Sequence, residues 1–252
     1  MQDPASTVLV ITLTFLLAGI VKGVIGMGLP TVAMGLLAFV MAPIEAAALL
    51  IVPSLVTNIW QLVAGPSLIG VLKRFSTMML TICLGTIGGI GLLTGSAGGI
   101  ATAALGAVLA IYGIIGLRST RFVITKHSER WLSPVIGLFT GVLTGATGVF
   151  VIPAVPYFNS LRLEKEELIQ TLGLSFTVST LALAVGLMAN GQFKMTIATH
   201  SLLALLPALA GLFLGQHVRN RLKPEIFRRW FFIALVILGM YMVLRAISAL
   251  YT

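Results

Sequence analysis

The chain has 252 residues, of which 58% are hydrophobic and only 9% are charged, and its mean hydropathy is +1.08. A soluble domain carries about 25% charged residues to cover its surface, so this composition argues against a soluble enzyme, a nucleic-acid-binding protein and a disordered chain. The net charge of +9 indicates membrane topology instead, because basic residues are enriched in the cytoplasmic loops of membrane proteins.

Eight apolar runs follow one another along the chain. Each is expected to be helical, because backbone polar groups in lipid must be satisfied within their own segment. Six have the length of one crossing, about 20 residues, whereas the first and fifth are longer and contain glycines near their middle. The runs cover residues 7–41, 46–64, 76–93, 99–117, 132–158, 168–189, 195–216 and 230–250. The sequence therefore predicts one all-α polytopic membrane domain.

The two long runs resemble each other in the spacing of their glycines and prolines. Glycines of the first recur 122 residues later and its proline 123 residues later: Gly19 with Gly141, Gly23 with Gly145, Gly26 with Gly148, and Pro30 with Pro153. Gly88 with Gly211 and Gly116 with Gly239 keep nearly the same shift. This series predicts two homologous halves, about 1–125 and 126–252, as in many secondary transporters.

The basic loops decide between two topologies. If each long run crosses once, the loops at 65–75, 118–131, 159–167 and 217–229 are split between the two faces. If each long run folds back at its glycines, 13 of the 16 basic residues lie on one face, and Lys22, Lys194 and Arg245 lie elsewhere. The positive-inside rule favours the second topology. It predicts cytoplasmic basic loops, external termini and inverted halves, each a broken or re-entrant hairpin followed by three spanning helices.

The breaks in the two long runs are candidate binding elements. Glycine allows the chain to turn, and proline suits the first position of a new helix, so Pro30 and Pro153 are expected to begin the outgoing half-helices. Helix N-termini attract anions, and we expect the two tips to meet near the bilayer midplane. The candidate residues here are Gly23, Gly26, Gly28, Pro30, Gly145, Gly148 and Pro153. The alternative is that such glycines let helices pack closely, especially at Gly19 and Gly141.

Polar side chains within the runs form a second group of candidates. Lys22 lies just before the first break, where a buried lysine either serves a function or extends to an interface. Thr57 and Asn58 lie four and three residues before Gln61 and can share a helix face with it. The other candidates are Thr144 and Thr147 beside the second break, and Ser175, Thr177, Ser179 and Thr180 in the next run. These groups either bind an oxyanion or bond across helices.

The acidic residues are informative because none of the seven lies in the middle of a run. A carboxylate proton relay and a carboxylate sodium site are therefore not expected, and the absence of fixed negative charge suits an anion. No residues have the spacing of metal ligands, and no nucleophile motif accompanies the serines and histidines. We expect no enzyme, no metal and no cofactor.

Several stretches together resemble a known family. They are AGIVKGVIGMGLPTVAMGLL, PIEAAALLIVPSLVTNIWQL, GVLTGATGVFVIPAVPYF, LGLSFTVSTLAL and the FRRWFF…LG run. Over nearly its whole length the chain is similar to the sulfite exporter TauE/SafE family of membrane transporters. Val149 and Phe150 stand where that family commonly has a further glycine. The resemblance implies transport of sulfite, sulfoacetate or a related small organic anion across the bacterial inner membrane.

The function predicted is export of a small anion by alternating access, with one half rocking against the other around a site between the two broken helices. A passive anion channel of the same architecture is the alternative. A non-transporting scaffold is a third possibility, although the loops are too short to offer much surface. The expected partners are the anion and the lipid bilayer, with no nucleic acid. The oligomeric state stays open, a homodimer being one option.

Overall fold

The computed structural model describes residues 4–95, 98–118, 123–193, 195–219, 221 and 223–248. In these ranges the chain forms ten helices and no strand. They are α1 (Pro4–Ile25), α2 (Leu29–Leu37), α3 (Pro43–Val63), α4 (Leu68–Thr94), α5 (Gly98–Arg118), α6 (Lys126–Thr147), α7 (Ala154–Ser160), α8 (Lys165–Ala189), α9 (Met195–Arg219) and α10 (Pro224–Ser248). Seven of the described helices, α1, α3, α4, α5, α8, α9 and α10, are long and apolar enough to cross a membrane. The all-α polytopic fold is confirmed.

Both long apolar runs are broken at their glycines, as predicted. The first becomes α1 and α2, with Gly26 and Gly28 between them at φ +77° and +104°. The second becomes α6 and α7, with Gly148 at φ +73°. A side chain is strained at these angles, whereas glycine adopts them readily. The first break is therefore residues 26–28 and the second is residues 148–153.

Most helices extend beyond the apolar runs that predicted them. α4 begins at Leu68 rather than at residue 76, and α6 at Lys126 rather than at residue 132. With 27 residues, α4 is about 40 Å long, which exceeds the roughly 30 Å of a hydrocarbon core. Hydropathy marks the part of a helix that lies in lipid, and the helix itself continues into the polar region.

Glycines bring α1 and α9 into direct backbone contact. A Cβ at Gly19 would meet the carbonyl oxygen of Ala208, and one at Gly211 would meet the carbonyl oxygen of Leu16. Without side chains at these positions the two helices approach closely along their length.

α4 and α6 are joined in the same way. A Cβ at Gly85 would meet the carbonyl oxygen of Leu138, and one at Gly141 would meet that of Ile82. The close-packing interpretation therefore holds for Gly19 and Gly141. Gly88, which the sequence spacing pairs with Gly211, faces open space, and Gly85 makes the equivalent contact.

The most extensive helix contacts all join residues 1–125 to residues 126–252. They are α1 with α9, α4 with α6, α5 with α10, and α3 with α8. Rocking one half against the other would separate these touching backbones. The expected rocking motion stays a prediction, and it would have to disrupt these contacts. Of the four pairs, α5 and α10 contact the remaining helices least.

The basic loops converge on one end of the bundle, here called the basic end. Arg74, near the start of α4, donates to Glu129 of α6 at 2.6 and 2.9 Å and to Glu167 of α8 at 3.0 Å. Ile124 donates its backbone N–H to the carbonyl of Ser160, at the end of α7. The starts of α4, α6 and α8 and the end of α7 therefore lie together.

Contacts near the ends of the remaining helices show which ends lie together. Gln170, near the start of α8, donates to the carbonyl of Leu62 at the end of α3. Ser201, near the start of α9, donates to the carbonyl of Leu49 near the start of α3, so α9 runs parallel to α3. Gly116 at the end of α5 lies against Phe232 near the start of α10. The membrane side of the basic end stays a prediction; Arg121 and Lys194 lie outside the described residues.

The two breaks lie at different depths. Gly26 accepts a hydrogen bond from Gln61, near the end of α3. A Cβ at Gly148 would meet Ala47, near the start of α3. Fourteen residues of helix separate these two levels, which is about 21 Å. The expectation that the tips meet at the midplane is wrong, because each first helix is long enough to carry its break toward the far end of the bundle.

Candidate functional site

A buried lysine is the centre of the polar cluster beside the first break. The Lys22 side chain is only 4% exposed. Its Nζ donates to Thr57 Oγ1 at 3.0 Å and to Asn58 Oδ1. Asn58 in turn donates to Thr180 of α8 at 3.5 Å. Three predicted candidates, Lys22, Thr57 and Asn58, are thus in direct contact.

No carboxylate neutralises this ammonium group in the described part of the chain. The ion pairs found there both belong to Arg74. An ammonium has three N–H donors, and Lys22 uses two of them on neutral side chains. A buried charge is costly unless it is paired. Among the described residues, the Lys22 side chain therefore has two neutral partners and no carboxylate.

Gln61 connects the first break to the neighbouring helices. Its Nε2 donates to the carbonyl of Gly26 at 3.3 Å and to that of Ile169 at 3.0 Å. Its Oε1 is buried and has no protein partner. The position where Gly26 would carry a Cβ is open. The predicted residues Gly26 and Gln61 therefore belong to the same cluster as Lys22.

The start of α2 borders this cluster. Gly28 is the N-cap and provides no side-chain cap, and Pro30 lies in the first turn as predicted. Thr31 turns its hydroxyl back to the carbonyl of Gly28 at 2.8 Å. The first helical N–H groups therefore receive no acceptor from a capping side chain, and they carry partial positive charge.

The second break is apolar and differs from the first. Its residues 149–152, Val-Phe-Val-Ile, are buried in the hydrophobic core. Phe150 packs on Phe176, with ring centroids 5.2 Å apart. At the shift of 122, Phe150 occupies the position of Gly28 and adds an aromatic ring to the second break. Binding of the anion at both breaks stays a prediction.

The predicted polar side chains of the second break hydrogen-bond to nearby backbone groups. Thr144 and Thr147 each donate to a carbonyl four residues earlier at 2.7 Å, and Thr147 accepts from the N–H of Val149. α7, which Pro153 precedes, has only seven residues. Gly148 supplies the positive φ of the turn. None of these groups contacts Lys22 through a hydrogen bond given by the structure.

Gly23 and Gly145 are packing residues, contrary to their prediction as binding residues. A Cβ at Gly23 would meet the carbonyl of Leu212 on α9, and one at Gly145 would meet that of Thr86 on α4. A Cβ at either position would face the backbone of a neighbouring helix, and the spacing of glycines in the sequence could not reveal which helix lies there.

Several buried hydroxyls near α3 and α8 have no hydrogen-bond partner. Ser175, a predicted candidate, is one of them, whereas Thr177 donates to the carbonyl of Gly173. The others are Ser54, Thr171 and Ser179. The sequence prediction missed Ser54 and Thr171, although Ser54 lies three residues before Thr57 on the same face.

Comparison with known proteins supplies a family. A family model described as sulfite exporter TauE/SafE matches residues 11–242. No curated protein and no solved structure matches the chain. No group of three or more potential metal-ligating side chains occurs within the ranges that the structure describes. Because the match covers most of the chain, the protein belongs to the sulfite exporter TauE/SafE family of membrane transporters.

Proposed function

We propose that this protein exports a small oxyanion, such as sulfite, sulfoacetate or a related organosulfur anion, and that Lys22 is the charged group of its binding site. The observation that carries this proposal is a buried ammonium with two neutral partners and no carboxylate among the described residues. An anion beside Nζ would supply the missing negative charge and accept the third N–H.

The chemistry of the surrounding groups favours an oxyanion. A sulfite or sulfonate group has several acceptor oxygens, and hydrogen bonds from charged donors are short and strong. The start of α2 adds partial positive charge, and Ser54, three residues before Thr57, is a buried hydroxyl without a partner. The absence of a carboxylate near Lys22 keeps competing negative charge away.

Alternating access is the transport mode that we propose. The site lies beside the first break instead of at the midplane. The lightly attached α5–α10 pair moves against the other helices, since the two halves are interlocked. The proposal includes descent from inverted repeats at 1–125 and 126–252, a cytoplasmic basic end, external termini and residence in the bacterial inner membrane.

A passive anion channel of the same architecture is the second candidate. The lack of carboxylates in the cluster is compatible with it, because nothing there couples anion movement to a proton or sodium ion. A channel and a transporter differ in saturation: a carrier that must change conformation reaches a maximal rate, whereas a channel conducts at rates that rise with concentration.

Sulfite flux in liposomes containing the purified protein distinguishes these functions. We expect flux that saturates with sulfite concentration and is inhibited by sulfoacetate. Flux that rises linearly at high sulfite, with single-channel currents, would support the channel. Flux no greater than that of empty liposomes for sulfite, sulfoacetate and thiosulfate would contradict both.

A further inference from the structure

A buried tyrosine of α5 contacts the first break. Tyr112, on α5, is 1% exposed, and its ring packs edge-on against Phe232 of α10 at 5.2 Å. Its hydroxyl donates to the sulfur of Met27 at 3.2 Å. Met27 lies between the two glycines of the break.

The hydrogen bond from the Tyr112 hydroxyl to the Met27 sulfur is weak for a buried polar group. A thioether sulfur is only a weak acceptor, whereas buried polar groups usually have a full hydrogen-bond partner. No stronger acceptor for it is found among the described residues. Tyr112 therefore holds a strong O–H donor beside the break without using it fully.

The first break is held between two groups of helices. On one side, Gln61 of α3 donates to the carbonyl of Gly26. On the other side, Tyr112 contacts Met27, and Phe231 of α10 lies beside Gly28, 3.2 Å from the position of a Cβ there. Gln61 and Tyr112 thus reach the first break from different helices.

The helices that carry these aromatic rings form the least attached of the four extensively packed pairs. α5 and α10 contact each other extensively and make only small contacts with α6 and the other helices. A displacement of this pair would remove Tyr112 and Phe231 from the break without separating the glycine-packed helices. In the second half, the position 122 residues after Tyr112 is Ala234, which has no donor.

We propose that Tyr112 is a substrate-binding gate residue. With the anion absent its hydroxyl rests on Met27, and with the anion at Lys22 it donates to an anion oxygen. The inference rests on the proposed function, since it takes the same oxyanion at the same site. It adds a donor from the α5–α10 pair, so that binding the anion couples this pair to the cluster.

Two conservative variants separate binding from structure. Tyr112→Phe keeps the ring and removes the hydroxyl, and Met27→Leu keeps the volume and removes the resting acceptor. If the hydroxyl binds the anion, Tyr112→Phe raises the KM for sulfite flux by about 10-fold or more, the effect of losing a hydrogen bond to a charged group. Met27→Leu then leaves KM at or below its original value. Tyr241→Phe, on the exposed face of α10, is the matched control.

The opposite outcomes overturn the inference. If the bond to Met27 is merely structural, both variants lose the same contact and change KM alike. An unchanged KM in Tyr112→Phe also overturns the inference. If Tyr112→Phe does not fold, a raised KM in Met27→Leu overturns it instead. If the unmodified protein itself shows no saturable sulfite flux, the proposed function fails together with the inference about Tyr112. If only the variants give the contrary result, the inference alone fails.

Discussion

Among the side chains, Lys22 carries the clearest chemical requirement. Its ammonium is buried against Thr57 and Asn58, neither of which is charged. Desolvating an ion costs several kcal/mol unless a partner compensates. In the proposed function, the transported anion provides this compensation. The same feature explains why an internal carboxylate would be harmful here.

Asn58→Asp is expected to inhibit transport by giving Lys22 a permanent partner. The new carboxylate would repel the anion, and two unit charges 4 Å apart interact by about 4 kcal/mol at an effective dielectric constant of 20. Sulfite flux should fall at least about tenfold while the melting temperature rises. Asn190→Asp, at the exposed end of α8, is the control and should leave flux unaltered. Normal flux in Asn58→Asp would show that the anion does not approach Lys22.

For single residues, the sequence was sufficient to predict members of the candidate site where their residue type is costly to bury in lipid. A lysine within an apolar run, followed by three polar residues on one face of the next helix, predicted four members of the cluster. Gly23 and Gly145 were misassigned because a glycine's role depends on which helix lies opposite. Tyr112 gave no signal, since a tyrosine in an apolar helix is ordinary until its hydroxyl partner is known.

The helices differ in how firmly they are joined, and glycine decides the difference. α4 and α6 touch through Gly85, Gly89 and Gly141, where backbone lies against backbone. The breaks also differ as elements: the first is polar and open at Gly26, whereas the second is filled by residues 149–152. One break is therefore suited to an anion, and the other to apolar packing.

Adjacent glycines of α4 provide a direct test of this packing. Gly89→Ala would place a Cβ against the carbonyl of Val142, whereas Gly88→Ala would place it in open space. Overpacking costs about 1–3 kcal/mol, so Gly89→Ala should lower the apparent melting temperature by several degrees. Gly88→Ala should change it little. Equal melting temperatures for the two variants would mean that α4 and α6 are not in close contact.

The positions of the breaks were predictable at the element scale, but their depth was not. In both apolar runs, glycines followed by a proline indicated where the chain would reverse. The depth depends on how long α1 is and where it meets α3, which is set by packing and not by the run itself. The filling of the second break follows from Phe150, a departure that the sequence already showed.

For the molecule as a whole, interlocking of the two halves restricts which motions are possible. α1 packs on α9 and α4 on α6, so each half holds the other. Of the four extensively packed pairs, α5–α10 contacts the other helices least, and it carries Tyr112 and Phe231 to the first break. The proposed motion is therefore a displacement of this pair. The spacing of the glycines predicted a duplication, but the contacts between the two halves needed three dimensions.

Cross-linking tests which body moves. In a Cys83→Ser background, a short thiol cross-link between Phe39→Cys and Tyr241→Cys, whose native rings are 5.4 Å apart, would tie the end of α2 to α10. We expect reversible loss of sulfite flux. Val52→Cys with Ser201→Cys, where Ser201 Oγ is 3.1 Å from the Val52 nitrogen, ties α3 to α9 and should permit flux. Loss of flux in both would contradict motion of the α5–α10 pair alone.

Cysteine labelling tests the topology. Single cysteines at Lys73, Arg162 and Lys223, which are exposed in three different basic loops, should react with an impermeant thiol reagent only from the cytoplasmic face. This follows from the gathering of these loops at one end and from the positive-inside rule. Labelling of Arg162→Cys from the opposite face to Lys73→Cys would mean that α6 and α7 do not fold back.

The most direct test of an anion site at Lys22 is saturable sulfite flux in liposomes for Lys22→Met and Lys73→Met. Removing the buried charge should abolish saturable flux, because no other lysine or arginine hydrogen-bonds to Thr57 or Asn58 among the described residues. Lys73→Met, which removes an exposed lysine, should transport like the unmodified protein. Unchanged flux in a folded Lys22→Met protein would contradict the proposal that this lysine binds the transported anion.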